Sequence, residues 1–122
     1  LNDGLCSGNP STTTTYLQKM YDYGKSKGMT VIAVTISPTK SYFDTTCSNT
    51  NGGENSVDYI QQVNEWIMNE PNNVDYVVNT YDELDDGSGS LQSVYDSGDH
   101  LHLNSAGQNK LGEIIYNTVF IE

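Results

Sequence analysis

The feature that most constrains the fold is a run of β-branched and apolar residues at 29–37, Met-Thr-Val-Ile-Ala-Val-Thr-Ile-Ser. Nearly continuous apolarity of this kind is typical of a strand that is buried on both faces of a parallel sheet. Pro38 follows directly and predicts the end of the strand, because proline cannot donate a backbone hydrogen bond to a sheet. A second strand is predicted at residues 74–79.

Three stretches whose apolar residues recur at helical spacing surround these strands: 11–27, 56–70 and 105–120. Pro10 and Gly28 are the start and stop signals of the first helix. The alternation of helices with strands predicts an α/β fold with a parallel sheet and right-handed crossovers. The remaining stretches, 39–55 and 80–103, are predicted to be polar loops.

Strands that are buried on both faces need further strands beside them. A sheet of only two strands cannot bury the inner faces of three helices well. The opening residues Leu1-Asn2-Asp3-Gly4 would follow naturally from a further strand that the chain does not contain. We therefore expect residues 1–122 to be the C-terminal part of a single domain whose N-terminal part is absent from this chain.

The chain is strongly acidic, with 16 acidic and 5 basic residues and a formal net charge of −11. Such a charge should repel nucleic acid and anionic membrane surfaces, so neither is expected as a partner. No apolar stretch approaches the length that crosses a bilayer. The sequence contains no phosphate-binding glycine loop and no pair of cysteines at metal-ligand spacing, so no cofactor or metal is predicted.

The residues that can do chemistry lie just before the last helix, in the stretch Asp-His-Leu-His-Leu-Asn at 99–104. Asp99 lies three residues before His102, so its carboxylate can fold back and accept the imidazole Nδ1–H. The carboxylate would then fix the tautomer and leave Nε2 free as a general base for a hydroxyl nucleophile. Either Asn104 or Ser105 can cap the helix and so hold the loop rigid.

This stretch resembles block V of the SGNH (GDSL-type) hydrolases, in which Asp-x-x-His precedes the last helix. Asn2-Asp3 resembles block III of the same family, Gly-x-Asn-Asp, with the chain starting after the glycine. The resemblance covers essentially the whole chain from block III onward. It implies a three-layer α/β/α flavodoxin-like fold and the hydrolysis of carboxylic esters by a Ser-His-Asp triad.

The resemblance also implies a role for individual residues. His102 is the base, Asp99 orients it, and Asn2 donates its side-chain amide to the oxyanion hole. The Gly-Asp-Ser motif that holds the family's nucleophile does not occur in this chain, nor does the second oxyanion glycine. The serine is therefore expected from a missing N-terminal segment or from a partner chain. Three serines of this chain lack the context of that motif and are not expected to replace its nucleophile: Ser7, Ser11 and Ser37.

Several alternatives stay open beside this interpretation. His100, with Asp96 as its partner, is a rival base whose spacing fits the family less well. The acidic stretch at 82–87 misses the alternation of a calcium-binding loop, so a solvated loop is favoured there. A catalytically inactive SGNH-like module that binds carbohydrate or another surface is the competing function, because a fold does not determine an activity.

The preferred substrate is a short acyl group on a carbohydrate, because an acidic protein with polar aromatic loops suits a neutral glycan better than an anionic lipid surface. Tyr42 and Phe43 are the better candidates for a sugar or acyl platform, and Trp66 is expected to lie in the core. Lipase or phospholipase activity stays open.

Cys6 and Cys47 are the only cysteines of the chain, and each follows a strand that the fold requires. The carboxyl ends of parallel strands meet at one edge of a sheet, so the two thiols could form a disulfide bond. Such a bond would favour a secreted, extracellular location. Two free buried thiols are the alternative.

Overall fold

The structure is a computed structural model, which describes residues 8–47, 52–69 and 71–121, without the side chains of 52–54. Over these ranges the chain folds into five helices and two strands. In chain order they are α1 (Pro10–Ser26), β1 (Ile32–Val34), α2 (Lys40–Thr46), α3 (Gly52–Asn69), β2 (Tyr76–Val78), α4 (Tyr81–Leu84) and α5 (Ser105–Val119). The chain is therefore a mixed α/β structure, as the sequence predicts.

The two strands pair in parallel, with Ala33 opposite Val77 and Val34 opposite Val78. Both strands are shorter than predicted, because side chains replace the strand ladder just beyond their ends. After β1, the side chain of Asn64 takes up the backbone of Ile36: its Oδ1 accepts the N–H at 2.7 Å, and its Nδ2 donates to the carbonyl at 3.0 Å. The β1 chain is thus fastened to α3 where the sheet stops.

The core lies on the face of the sheet to which Ala33 and Val77 belong. Ala33 packs there with residues of α1 and α3, and Val77 is partly buried against the same cluster. In the stretch 56–70, where the sequence predicts a helix, three apolar residues at helical spacing face this core, each at most 2% exposed: Ile60, Val63 and Ile67. Tyr59 of the same helix is also buried. Successive strand residues point to opposite faces, so Val34 and Val78 face the other side of the sheet.

Two helices lie in stretches that were predicted to be loops. α2 occupies part of 39–55, and its Phe43 is only 1% exposed because α2 packs along α3. α4 is a single turn within 80–103, anchored by the fully buried Leu84. Helices this short have little periodic signal and do not form alone, so their stability comes from tertiary contacts. α3 also begins earlier than predicted, at Gly52 rather than at residue 56.

The ends of α1 follow the predicted signals. Pro10 is its first residue, and the side-chain Oδ1 of Asn9 accepts the amide N–H of Ser11 at 3.0 Å. Gly28 has a φ of +73°, the left-handed conformation that glycine adopts after a helix, and its amide donates to the carbonyl of Lys25 at 2.9 Å. Within the described ranges, no helix combines the length and the apolarity needed to cross a membrane.

Replacing Asn64 should destabilise the protein, because the buried amide is the hydrogen-bond partner of both backbone groups of Ile36. We expect Asn64→Ala to lower the free energy of unfolding by roughly 2–4 kcal/mol, measured by urea denaturation with circular dichroism. Asn69→Ala is the matched control, because that exposed side chain donates only to the Glu65 carbonyl of its own helix. Its effect should stay below about 0.5 kcal/mol. Equal losses in the two variants would contradict a special role for Asn64.

Candidate active site

The two histidines lie on a compact loop that is closed by backbone hydrogen bonds. Asp96 and Leu103 form an isolated antiparallel bridge across its base. The amide of Ser97 donates to the carbonyl of His102 at 2.9 Å, and the amide of Asn104 donates to the carbonyl of Tyr95 at 2.9 Å. The loop is therefore a defined turn that leads directly into α5.

Asn104 fixes the junction between this loop and α5. Its Oδ1 caps the helix by accepting the amide of Gly107 at 2.9 Å, while its Nδ2 donates to the carbonyls of Val94 at 2.9 Å and Asp96 at 3.1 Å. The sequence left Asn104 and Ser105 as alternative caps, and Asn104 is the cap. A Cβ at Gly107 would lie 2.7 Å from the carbonyl oxygen of Tyr95, so only glycine allows this close approach.

The carboxylate of Asp99 holds the base that the sequence predicts. Its Oδ2 lies 2.5 Å from Nδ1 of His102, and its Oδ1 accepts the amides of His102 at 2.8 Å and Leu101 at 2.9 Å. The hydroxyl of Ser97 donates to the same Oδ1 at 3.0 Å. The amide and imidazole of His102, with the Leu101 amide, hold the pKa of the Asp99 carboxyl well below its usual range. Asp99 is therefore an anion at neutral pH, and Nε2 of His102 has no protein partner in the described residues.

A second pair of the same kind lies beside the first. Nδ1 of His100 lies 2.6 Å from Oδ2 of Asp96, whose Oδ1 accepts the amides of His100 at 2.9 Å and Gly98 at 2.8 Å. Desolvation raises the pKa of the Asp96 carboxyl, but these hydrogen bonds outweigh it, and the net pKa is lowered. The suggested pairing of His100 with Asp96 is thus present. His100 has a φ of +64°, the left-handed region that few non-glycine residues adopt.

The two histidines differ in that only His102 borders a cleft. His102 lines an open cavity of about 560 Å³ at the carboxyl ends of β1 and β2, where open α/β sheets bind ligands. Val34 and Ile36 form one wall of the cavity, and Leu101 with Leu111 of α5 forms another. His100 is not among its lining residues. The His102 side chain is 73% exposed, so an approaching group can reach its ring.

Hydroxyl groups line the same cleft, at positions for which the sequence predicts no role in the site. Ser37, Thr39 and Thr80 all border the cavity. Thr39 is 1% exposed, and its buried Oγ1 has no hydrogen-bond partner among the described residues. Their position could have identified them, because all three lie within five residues of the carboxyl end of a strand: Ser37 and Thr39 after β1, and Thr80 after β2.

The other residues that the sequence predicts to matter lie elsewhere in the structure or outside the described residues. Asn2 and Cys6 lie outside the described residues. Cys47 is buried and disulfide-bonded, and the chain has one other cysteine. The prediction that Phe43 belongs to an exposed sugar or acyl platform is wrong, because the side chain is buried against α3. The ring of Tyr42 packs edge-on against it, with 5.2 Å between the ring centroids.

The acidic stretch at 82–87 uses carboxylates for local turns. Oδ1 of Asp86 accepts the amide and hydroxyl of Ser88, and Oδ1 of Asp85 accepts the amide of Gly89. In the part of the chain that the structure describes, no group of three or more potential ligand side chains is arranged to hold a metal ion.

Comparison with protein-family models and with curated proteins finds no match for this chain. The assignment of a function therefore depends on the geometry of the loop and the cleft.

The lowered pKa of Asp99 predicts how the loop responds to acid. A carboxyl whose pKa is depressed by folding stabilises the folded state above its unfolded pKa of about 3.9, and this contribution is lost as the pH falls below that value. We expect Asp99→Asn to be less stable than the parent at pH 6, because the amide cannot act as a charged acceptor. The difference should shrink progressively below about pH 4. Urea denaturation at a series of pH values measures it, and a difference that stays constant down to pH 2.5 would contradict the charged hydrogen-bond network.

Proposed function

We propose that this chain carries the general base and its orienting carboxylate for a serine esterase of the SGNH type. One observation carries the proposal: Asp99 binds Nδ1 of His102, while the exposed ring lines a cleft at the carboxyl ends of parallel strands. Bound in this way, the imidazole presents Nε2 as the acceptor for a hydroxyl proton. The loop is rigid, because Asn104 ties it to α5.

The proposed reaction has two steps. Nε2 of His102 takes the hydroxyl proton of the serine as its oxygen attacks the ester carbonyl, and Asp99 stabilises the imidazolium that forms. The tetrahedral intermediate then collapses: the alcohol leaves with the proton from His102, and an acyl-serine remains. A water molecule that gives its proton to His102 attacks this acyl group. The carboxylic acid is released, and the proton returns to the serine.

The nucleophilic serine is proposed to lie on a segment or a partner chain outside these 122 residues, because the sequence contains no Gly-Asp-Ser. The open sheet supports a further neighbour: within the described residues β1 pairs only with β2, yet parallel strands are rarely left without cover. The second edge of β1 is therefore the proposed place for an additional strand. The completed domain would have the three-layer α/β/α architecture of the family.

Exposed apolar residues on two helices support the same idea. On α1 they recur at helical spacing, and each is at least 58% exposed: Tyr16, Met20 and Tyr23. At the end of α5, Tyr116 and Phe120 stack at 6.0 Å and are also more than half exposed. Contiguous apolar side chains in water are unfavourable and typically mark contact surfaces. These two faces are where we expect the serine-bearing part to pack.

For the substrate we propose carboxylic esters with a short acyl group, carried on a neutral carbohydrate. The acidic surface disfavours anionic lipid aggregates. The disulfide-bonded state of Cys47 supports a secreted protein, because such bonds persist in oxidising compartments.

Labelling with a fluorophosphonate that reacts with activated serines tests the origin of the nucleophile. The natural protein, isolated with any companion chain, is incubated with the reagent and analysed by intact mass and peptide mapping. We expect one labelled serine, outside these 122 residues, and hydrolysis of p-nitrophenyl acetate that the label abolishes. A label on Ser37 would move the nucleophile into this chain. If the protein is not labelled and does not hydrolyse the ester, the esterase proposal is contradicted. That result would favour a catalytically inactive carbohydrate-binding or surface-interaction module.

The two histidines provide a matched pair of variants in that active form. His102→Ala removes the base that lines the cleft, and kcat should fall by roughly 10⁴-fold or more. His100→Ala removes the neighbouring imidazole, which is bound to Asp96 in the same manner but does not line the cleft. Its kcat should change less than about 10-fold. The reverse order of the two effects would identify His100 as the base.

Asn2 is proposed to stabilise the oxyanion through its side-chain amide. Asn2→Ala in the active form should lower kcat by roughly 10²–10³-fold with a smaller effect on KM, because the interaction strengthens in the transition state. Asn55→Ala on the exposed side of α3 is the control and should leave kcat unchanged. If Asn2→Ala retains full turnover, another group must supply the oxyanion donor.

A further inference from the structure

Trp66, the only tryptophan of the chain, lies in a groove between α1 and α3. Two open cavities meet at this residue, one of about 680 Å³ and one of about 390 Å³, and both are also bordered by Thr14. These volumes are in the range of small-ligand sites. The sequence predicts Trp66 to be a core residue, and the structure makes it both a core contact and a wall of this groove.

The indole of Trp66 is held as a rigid platform. Its ring is nearly parallel to the ring of Tyr21, with 6.2 Å between centroids and an interplanar angle of 9°. Tyr21 is 8% exposed, so it supports the indole from the core side. Trp66 is partly buried and borders both cavities, so part of the indole is open to the groove, and the indole N–H makes no hydrogen bond with the described residues. A platform that is already ordered loses little conformational entropy when a ligand binds.

Apart from Pro10, the other side chains that border the groove are polar or charged. On α3 they share one helical face with Trp66, and across the groove α1 contributes hydroxyls and an amide: Gln62, Glu65, Asn69, Ser11, Thr14 and Gln18. The side-chain amides of Gln62 and Asn69 donate to carbonyls of their own helix, which leaves both amide oxygens as acceptors. The carboxylate of Glu65 is a third acceptor on the same face.

We propose that this groove binds a neutral oligosaccharide, with one sugar ring lying on the indole of Trp66. The C–H groups of a pyranose face carry partial positive charge and pack well on the electron-rich face of an indole. Its hydroxyls match the free acceptors of Gln62, Glu65 and Asn69, and its oxygens match the indole N–H. This inference does not rest on the esterase, because the groove shares no residue with the cleft of His102.

The chemistry of the groove favours a neutral sugar over other occupants. A protein partner is recognised mainly through apolar and aromatic contacts at the interface centre, whereas the groups that border the groove with Trp66 are mainly amides, hydroxyls and a carboxylate, beside the single apolar Pro10. An acidic glycan would face Glu65 and a chain with a net charge of −11. Lys19 also borders the groove, but its ammonium lies over the ring of Tyr16, 5.1 Å from the ring centroid.

Because Trp66 is the sole tryptophan, its fluorescence reports on the groove directly. The protein is titrated with cellohexaose, xylohexaose and mannohexaose, and with an oligogalacturonate as the charged counterpart. At least one neutral hexasaccharide should produce a saturable change in the Trp66 emission and protect the indole from acrylamide quenching. No saturable change with any neutral probe at millimolar concentration would overturn the proposal, as would equal binding of the oligogalacturonate.

Variants that keep Trp66 as the probe test the contacts. Gln62→Ala and Asn69→Ala should each weaken binding by roughly 5- to 10-fold, because each removes one hydrogen-bond acceptor. Gln61→Ala is the matched control: it is exposed on the same helix but does not border the groove. Trp66→Phe should abolish binding in calorimetry while its far-UV circular dichroism stays that of the parent. Equal affinities of the parent, Gln62→Ala and Asn69→Ala would place the sugar elsewhere and refute the groove.

Discussion

The parallel pairing of β1 with β2 is the interaction on which the other features depend. It sets Ala33 beside Val77 on the core face and aligns the carboxyl ends of both strands at one edge. The edge is completed by Thr35, whose Oγ1 accepts the amides of Thr80 at 2.9 Å and Tyr81 at 3.1 Å. These bonds join the two chains just beyond the strands, and the cleft of His102 opens at that point. Without the pairing, Val34 and Thr80 would not be held together at the border of the cleft.

The histidine loop is organised by charge. Two carboxylates, Asp96 and Asp99, each accept two backbone amides and one imidazole, so a turn with few apolar contacts still has a fixed shape. Only one of the two imidazoles lines the cleft. The two Asp–His pairs have nearly the same local geometry, so it is the position of each histidine along the loop that decides which imidazole lines the cleft. The proposed esterase needs an oriented base of this kind, and the serine proposed on another segment would complete it.

The two candidate sites use different elements. The cleft lies at the carboxyl ends of the strands and presents His102, whereas the groove lies between α1 and α3 and presents Trp66. A glycan that occupies the groove and an ester that enters the cleft would make separate contacts with the chain. Under the two proposals together, the groove retains an acylated polysaccharide while esters along it reach the base, which raises the effective concentration of substrate.

Local features of the sequence determined much of this structure. The β-branched run at 29–37, the helical stripe through Ile60, Val63 and Ile67, and the spacing of Asp99 and His102 are short-range patterns, and each produced the expected element or contact. Tertiary structure alone decided the rest. α2 exists because Phe43 is buried against α3, β1 ends early because Asn64 binds the backbone of Ile36, and Trp66 borders a groove because α1 and α3 are packed side by side. Contacts between residues so far apart in sequence depend on how the elements pack, which no local periodicity records.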